Sequence, residues 1–252
     1  MLYFGSFNPI HKGHIALAEY VLKEGLCDSV VLVVSPQNPM KQEVSLLPEL
    51  TRFEMAEIAC RESSFPARIQ PSAVEFLLDR PSYTINTLRF LEENNGSEME
   101  FSILMGADNL ENLHRWREYE AILDAYSIFV YPRTGHTSGE LLQRVHFLAD
   151  APVFDCSSTG IRNALANGQD ASQWLAAGVA DYIAKNGLFP RNDQLIESKT
   201  EGIAHFRRNE WGSALNSFRK ALEAAPDDTE SQQYITMIED ILAFRYKDIY
   251  NP

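Results

Sequence analysis

Two short stretches carry residue types suited to chemistry on phosphates. The first is Gly5-Ser6-Phe7-Asn8-Pro9-Ile10-His11-Lys12-Gly13-His14, set between the apolar stub Leu2-Tyr3-Phe4 and a helical run from Ile15 to Lys23. A strand, a glycine turn and a helix start in that order gather backbone N–H groups and the positive end of a helix dipole at one point, which makes a seat for phosphate. His11 and His14 lie three apart at the helix start, so they share a face and add two donors at the mouth of the turn. Two blander readings stand beside this one. The pair could be a metal fragment, although no third ligand follows at useful spacing, or two histidines that only cap a core helix.

The second stretch, Cys156-Ser157-Ser158-Thr159-Gly160-Ile161-Arg162, follows Phe154-Asp155 and leads into Asn163-Ala164-Leu165-Ala166. Serine and threonine at a helix start are favoured caps, so on this loop alone capping and phosphate binding are equal readings. Arg162 tilts the balance. It lies one turn into the helix from Ser158 and points a fork of donors at whatever the helix end binds.

These stretches need a frame of strands and helices. The apolar runs Val30 to Val34, Phe101 to Met105, Ile128 to Tyr131 and Pro152 to Phe154 are short and bounded by turn residues, as buried parallel strands are. Helical spacing recurs over Leu46 to Arg61, Thr84 to Glu92, Tyr119 to Leu123 and Leu141 to Leu148. Alternation through about residue 155 predicts an α/β fold, a doubly wound parallel sheet with ligands outside the carboxyl ends of its strands. Beyond Phe189-Pro190-Arg191-Asn192-Asp193 the pattern turns all-helical: Leu195 to Arg208, Trp211 to Ala224 and Thr229 to Tyr246. Gly202, Ala214, Phe218, Ala221 and Pro226 sit there at the offsets of one tetratricopeptide repeat, with Trp211 in an aromatic position. One repeat cannot bury its own apolar face, so these helices are expected to pack on the first domain or on another copy of the chain rather than to form a peptide groove. The expected division is a catalytic domain over 1–190 and a helical extension over 191–252.

Composition excludes some function classes. The 252 residues hold 22 basic and 35 acidic side chains, a net charge of −13, whereas nucleic-acid binding calls for basic surface. An anionic substrate must then be held by local donors. Cys27, Cys60 and Cys156 are far apart and odd in number, which reads as reduced thiols of a cytoplasmic protein. Met1 leads straight into a strand and no run is long enough to span a bilayer, so neither a membrane partner nor a targeting segment is expected.

Together the two motifs resemble the signature of the nucleotidyltransferase superfamily of adenylyl and cytidylyl transferases. Further stretches narrow the resemblance to bacterial nicotinate-nucleotide adenylyltransferases: Ser35-Pro36-Gln37-Asn38-Pro39-Met40-Lys41, Arg80-Pro81-Ser82-Tyr83-Thr84-Ile85-Asn86-Thr87-Leu88, Met105-Gly106-Ala107-Asp108-Asn109, His114-Arg115-Trp116-Arg117 and Tyr131-Pro132-Arg133. It covers about residues 1–190 and not the helical tail. The resemblance implies a Rossmann-like fold and transfer of the adenylyl group of ATP to nicotinate mononucleotide, with release of pyrophosphate. It implies His11, His14 and Arg162 as catalytic groups, with His14 nearest the α-phosphate, and Gly5, Ser6 and Phe7 as close backbone. Ser158, Thr159 and Arg162 are implied for the β and γ phosphates, Gly106 and Asp108 for ATP with Asp108 as a ribose acceptor, and Mg²⁺ as arriving with ATP. For the acceptor it implies Trp116 stacked on the pyridine ring, Tyr83 and Thr84 on the nicotinate carboxylate, and Lys41 on the mononucleotide phosphate. Each has a plainer reading: Trp116 and Tyr83 as core packing, Asp108 as a helix N-cap.

The chain departs from the family pattern at Phe4, where a glycine is usual, at Asn8 for aspartate, at Met40 for histidine and at Cys156 for isoleucine. The Met40 change leaves the role of that loop open, and Cys156 reads as a small core residue. Rival readings are an adenylyltransferase for nicotinamide mononucleotide or phosphopantetheine, and a nucleotide-binding interaction protein working through its tail.

Overall fold

A computed structural model of the chain describes residues 1–36, 46–95, 99–136 and 140–250. The chain forms two compact units, residues 1–158 with 174–182, and residues 159–173 with 183–252.

The first unit is built on a parallel six-stranded sheet of order β3-β2-β1-β4-β5-β6. Its strands are β1 (Leu2–Gly5), β2 (Val30–Val34), β3 (Ile69–Ser72), β4 (Ser102–Gly106), β5 (Ser127–Tyr131) and β6 (His146–Phe147). Helices α1 (Lys12–Lys23), α2 (Glu49–Arg61), α3 (Thr84–Asn95), α4 (Ala107–Glu111) and α5 (Tyr119–Ala125) connect them. This is the doubly wound order. The strand sequence reverses between β1 and β4, which places a crevice beside the carboxyl ends at Gly5 and Gly106. Val30, Leu32, Val33 and Val34 are wholly buried, as a strand covered on both faces requires.

Three expectations fail locally. Pro152 to Phe154 is not a strand: Val153 and Phe154 are exposed, and β5 takes β6 as its outer neighbour. Leu141 to Leu148 is not an α-helix but a 3-10 turn, Glu140–Arg144, followed by β6. The third is an omission, since β3 contains Pro71. A residue without an N–H is tolerated there because β3 lies at the sheet edge.

In the second unit, α6 (Ser158–Ala166) contributes all but its first residue, beside α8 (Asp193–Arg207), α9 (Trp211–Ala224) and α10 (Thr229–Tyr250). Helix α7 (Ala177–Lys185) runs from one unit into the other. The two compact units part within α6. Ala214, Phe218 and Ile238 form the buried centre of the helical unit, flanked by Ile203, Phe206, Trp211 and Tyr234. The Phe218 ring stacks on Tyr234 with centroids 4.6 Å apart, and a Cβ on Gly202 would lie 2.9 Å from the same ring. Only glycine lets α8 and α9 approach so closely at that point.

The loop between α9 and α10 is fastened to α6. Asn163 Nδ2 donates to the Asp227 carbonyl at 2.8 Å, and Arg162 pairs with the Asp227 carboxylate at 3.5 Å. Beneath them Lys199 and Asp228, both buried, pair at 3.0 Å, and Asn167 bonds to each. Asp228 also accepts from Ser231 N–H, capping the start of α10.

Candidate active site

The turn after β1 closes under Gly5. Phe7 adopts φ +47° and buries its ring so near that a Cβ on Gly5 would sit 2.9 Å from it. A non-glycine residue in this region is strained by about 1–3 kcal/mol, and such strain clusters where a loop must present backbone to a ligand. His11 occupies the N-cap position of α1 and His14 lies in its first turn, with ring centroids 3.7 Å apart. The His11 backbone N–H donates to His14 Nδ1 at 3.2 Å. In a neutral imidazole that bond fixes the proton on Nε2, leaving His14 a donor on its far side.

Both histidines are held neutral. Burial and then Arg133 push the His11 pKa down to about 4, while burial, His11 and Arg133 push that of His14 well below its ordinary value. Cys156 Sγ lies 3.5 Å from His11 Nδ1, and burial raises the thiol pKa, so this group is a protonated neighbour rather than a nucleophile.

Arg133 is the residue that sequence reasoning left without a role. It follows β5, so it stands at the carboxyl end of the sheet, and its charge reaches both histidines. Its Nε faces Asp108 Oδ1 at 3.5 Å, and neither buried atom has a hydrogen-bond partner among the described residues. The available signal was the Tyr-Pro-Arg run closing an apolar strand, where ligand groups of open α/β sheets collect. Gly106 is the N-cap of α4, and Asp108 lies in the first turn of that helix rather than at its cap. Its carboxylate sits at the helix's positive end.

Ser158 begins α6 and donates its hydroxyl proton to the Pro9 carbonyl at 2.9 Å, tying the end of the first unit to the histidine turn. Thr159 and Arg162 belong to the second unit, where Arg162 Nη2 donates to Thr159 Oγ1 at 3.2 Å beside the Asp227 carboxylate.

Tyr83 precedes α3 and its carbonyl accepts from Asn86 and Thr87 N–H, so Thr84 and Ile85 open the helix with amides that have no intrahelical acceptor. Trp116 follows the 3-10 turn Leu113–Arg115. Trp116 and Tyr83 are both partly buried against the same core cluster, and Arg117 covers the Tyr83 ring at 5.1 Å. Each aromatic therefore packs on the core while keeping part of its surface accessible. Lys41 lies outside the described residues.

With this geometry in place, comparison with known proteins is decisive. The family model for cytidylyltransferase-like proteins matches residues 2–164. A Flavobacterium johnsoniae protein named "Probable nicotinate-nucleotide adenylyltransferase" is 38% identical over 193 residues, 75% of this chain and 98% of the relative. One of the same name from Bacteroides fragilis is 43% identical over 185 residues, 72% of this chain and 89% of its own. The chain belongs to the cytidylyltransferase-like family, in its nicotinate-nucleotide adenylyltransferase branch. At the level of fold, the nicotinic acid mononucleotide adenylyltransferase of Plasmodium falciparum complexed with NaAD superposes with a TM-score of 0.62. It is 19% identical and is matched over 75% of this chain and 95% of that one. Of the motifs, those that follow β1, β4 and β5 lie at strand ends, where the fold collects ligands. The relative from Flavobacterium is matched almost entirely by 193 of the 252 residues, and the family model ends at 164, within α6.

Proposed function

We infer that this chain joins nicotinate mononucleotide to ATP, forming nicotinate adenine dinucleotide and releasing pyrophosphate, a step of NAD synthesis. The observation that carries the reading is the paired histidines at the end of β1, where the bond from His11 N–H leaves His14 with an Nε2–H donor beside the crevice. A phosphate oxygen of nicotinate mononucleotide attacks the α-phosphorus in line, the bond from that phosphorus to the bridging oxygen breaks, and pyrophosphate leaves with the electron pair. No side chain need form a covalent bond. The work of the protein is to hold two anions in line and to meet the charge that develops between them.

His14 donates to the α-phosphate, with His11 and Arg133 beside it and the Gly5-Ser6-Phe7 backbone close by. Gly106 and Asp108 take the ATP ribose side, with Thr159 and Arg162 assigned to the β and γ phosphates and Ser158 anchoring the start of that helix. Tyr83, Thr84 and Trp116 receive the nicotinate ring and its carboxylate, and Lys41 the mononucleotide phosphate. Among the described residues no three His, Cys, Asp or Glu side chains converge as a metal cage. We propose that Mg²⁺ arrives on the triphosphate, where phosphate and water are its preferred ligands. Bound there, the ion would neutralise charge on the leaving pyrophosphate. We propose that the reaction takes place in the cytoplasm, on the ground of three separate free cysteines that suit a reducing compartment; among the described residues no helix is long and apolar enough to cross a membrane.

The test is pyrophosphate release from Mg-ATP with nicotinate mononucleotide, nicotinamide mononucleotide and phosphopantetheine in parallel. Turnover with the first alone, lost in His14→Ala, is the expected result. Turnover with another acceptor, or with none, overturns the reading.

A further inference from the structure

Two charged side chains of the first unit are buried without belonging to either proposed subsite. Arg52 of α2 is 1% exposed, and its guanidinium donates to four backbone carbonyls: Leu47 at 2.9 Å, Ser6 at 2.6 Å, Ser35 at 2.7 Å and Pro36 at 3.0 Å. Ser6 belongs to the phosphate turn, and Ser35 and Pro36 follow β2. Glu75 is 2% exposed. Its carboxylate accepts from Ser82 at 3.1 Å and Thr87 at 2.9 Å, and from the Ser35 side chain. Ser82 and Thr87 bracket Tyr83 and Thr84, the turn assigned to the acceptor.

The two networks meet at Ser35, whose carbonyl goes to Arg52 and whose side chain goes to Glu75. Ser35 N–H donates in turn to the Gly5 carbonyl at 2.9 Å. A continuous polar strut, buried at Arg52 and Glu75 and partly buried at Ser35, therefore runs from the ATP turn through Ser35 to the acceptor turn. Burying charge on this scale is costly unless every donor and acceptor is used. A simple core would place an apolar side chain at either position. In-line transfer needs the attacking and leaving groups held at fixed spacing, and a displacement of about 1 Å costs roughly 10²-fold in rate.

We propose that Arg52 and Glu75 are positioning residues for the transfer, setting the spacing of the ATP and acceptor turns through their shared hold on Ser35. The proposal rests on the adenylyl-transfer reading above.

Ser35→Ala is the sparing test, since it removes the link to Glu75 and leaves the carbonyl for Arg52. Its kcat is expected to fall roughly 10-fold or more, against the roughly 10²-fold of a full misplacement. Dissociation constants measured separately for ATP and for nicotinate mononucleotide should each stay near those of the parent. Glu75→Ala should lower kcat likewise and, by freeing Ser82 and Thr87 as well, raise KM for nicotinate mononucleotide but not for ATP, while Glu75→Gln, which keeps the shape and acceptor oxygen, should recover most of the rate. If Glu75→Ala does not fold, Ser35→Ala and Glu75→Gln decide the matter. A lowered melting temperature with unchanged kcat in Ser35→Ala overturns the positioning role, as does equal loss of affinity for both substrates. Failure of the reaction assignment looks different: the parent protein itself would then release no pyrophosphate with nicotinate mononucleotide.

Discussion

Acid should loosen this fold through its histidine pair. His11 is 7% exposed and its pKa is pushed down to about 4, against about 6.5 in an unfolded chain. The unfolded state thus takes up the proton first. The contribution to stability is complete above about pH 6.5, is lost as pH falls through the interval down to about 4, and is constant below it. Linkage over that interval gives a loss of about 1 kcal/mol by about pH 5.5 and about 2 kcal/mol by about pH 5, relative to neutral pH. His14, depressed by the same burial and by its neighbour, adds in the same direction. Urea denaturation of the parent and of His11→Gln across this range isolates the effect, because ordinary carboxylate titrations cancel between the two. The difference in unfolding free energy should narrow steadily from neutral pH to about pH 5. A constant difference would show that His11 is not held neutral by its surroundings, and the tautomer argument for His14 would fall with it.

His14→Ala should lower kcat by about 10²–10³-fold, the usual loss for one donor aimed at developing charge, with little change in KM for nicotinate mononucleotide. Arg133→Met should raise KM for ATP in steady-state assays, and should also raise the His11 pKa in an NMR titration, since the guanidinium is one of the causes that lower it. Thr84→Ala should narrow the preference for nicotinate over nicotinamide mononucleotide, and an unchanged ratio of kcat/KM values would remove that turn from the acceptor site. Lys199→Met leaves Asp228 buried without its cation and should cost about 3–5 kcal/mol in denaturant melts, as broken buried pairs do.

The parts of the fold most readable from sequence were those with strong periodicity. Val30 to Val34 and the helices of the extension lie where apolar spacing puts them, with α8 starting slightly earlier because Asn192 accepts from Leu195 N–H and caps it. The losses were at the sheet margins. A two-residue β6 has no period to detect, and Pro71 disguises an edge strand. Pro152 to Phe154 looks apolar enough for a strand, yet nothing in its pattern reveals that the sheet already ends at β6. In the candidate site, the spacing of His11 and His14 announced a shared helix face, while their neutrality depends on burial and on Arg133, over 100 positions away in sequence. Arg52 and Glu75 were invisible for a related reason. A charged residue within a helical stretch reads as solvated surface until the carbonyls and hydroxyls that enclose it are known.

The fastening of the α9–α10 loop to α6 carries a consequence for how the molecule comes apart. Asn163, Asn167 and the Ala166 carbonyl find partners at Asp227, Asp228 and Asn192, so the helix bearing Thr159 and Arg162 shares its hydrogen bonds with the extension. Proteins open in cooperative pieces rather than residue by residue. Here one compact unit ends at Ser158 and the other takes up at Thr159, inside a stretch that the family model matches. Heat, protease or a truncation that frees the last helices would withdraw Thr159 and Arg162 from their packing at the same stroke, and the durability of this motif becomes, in this chain, a property of its tail.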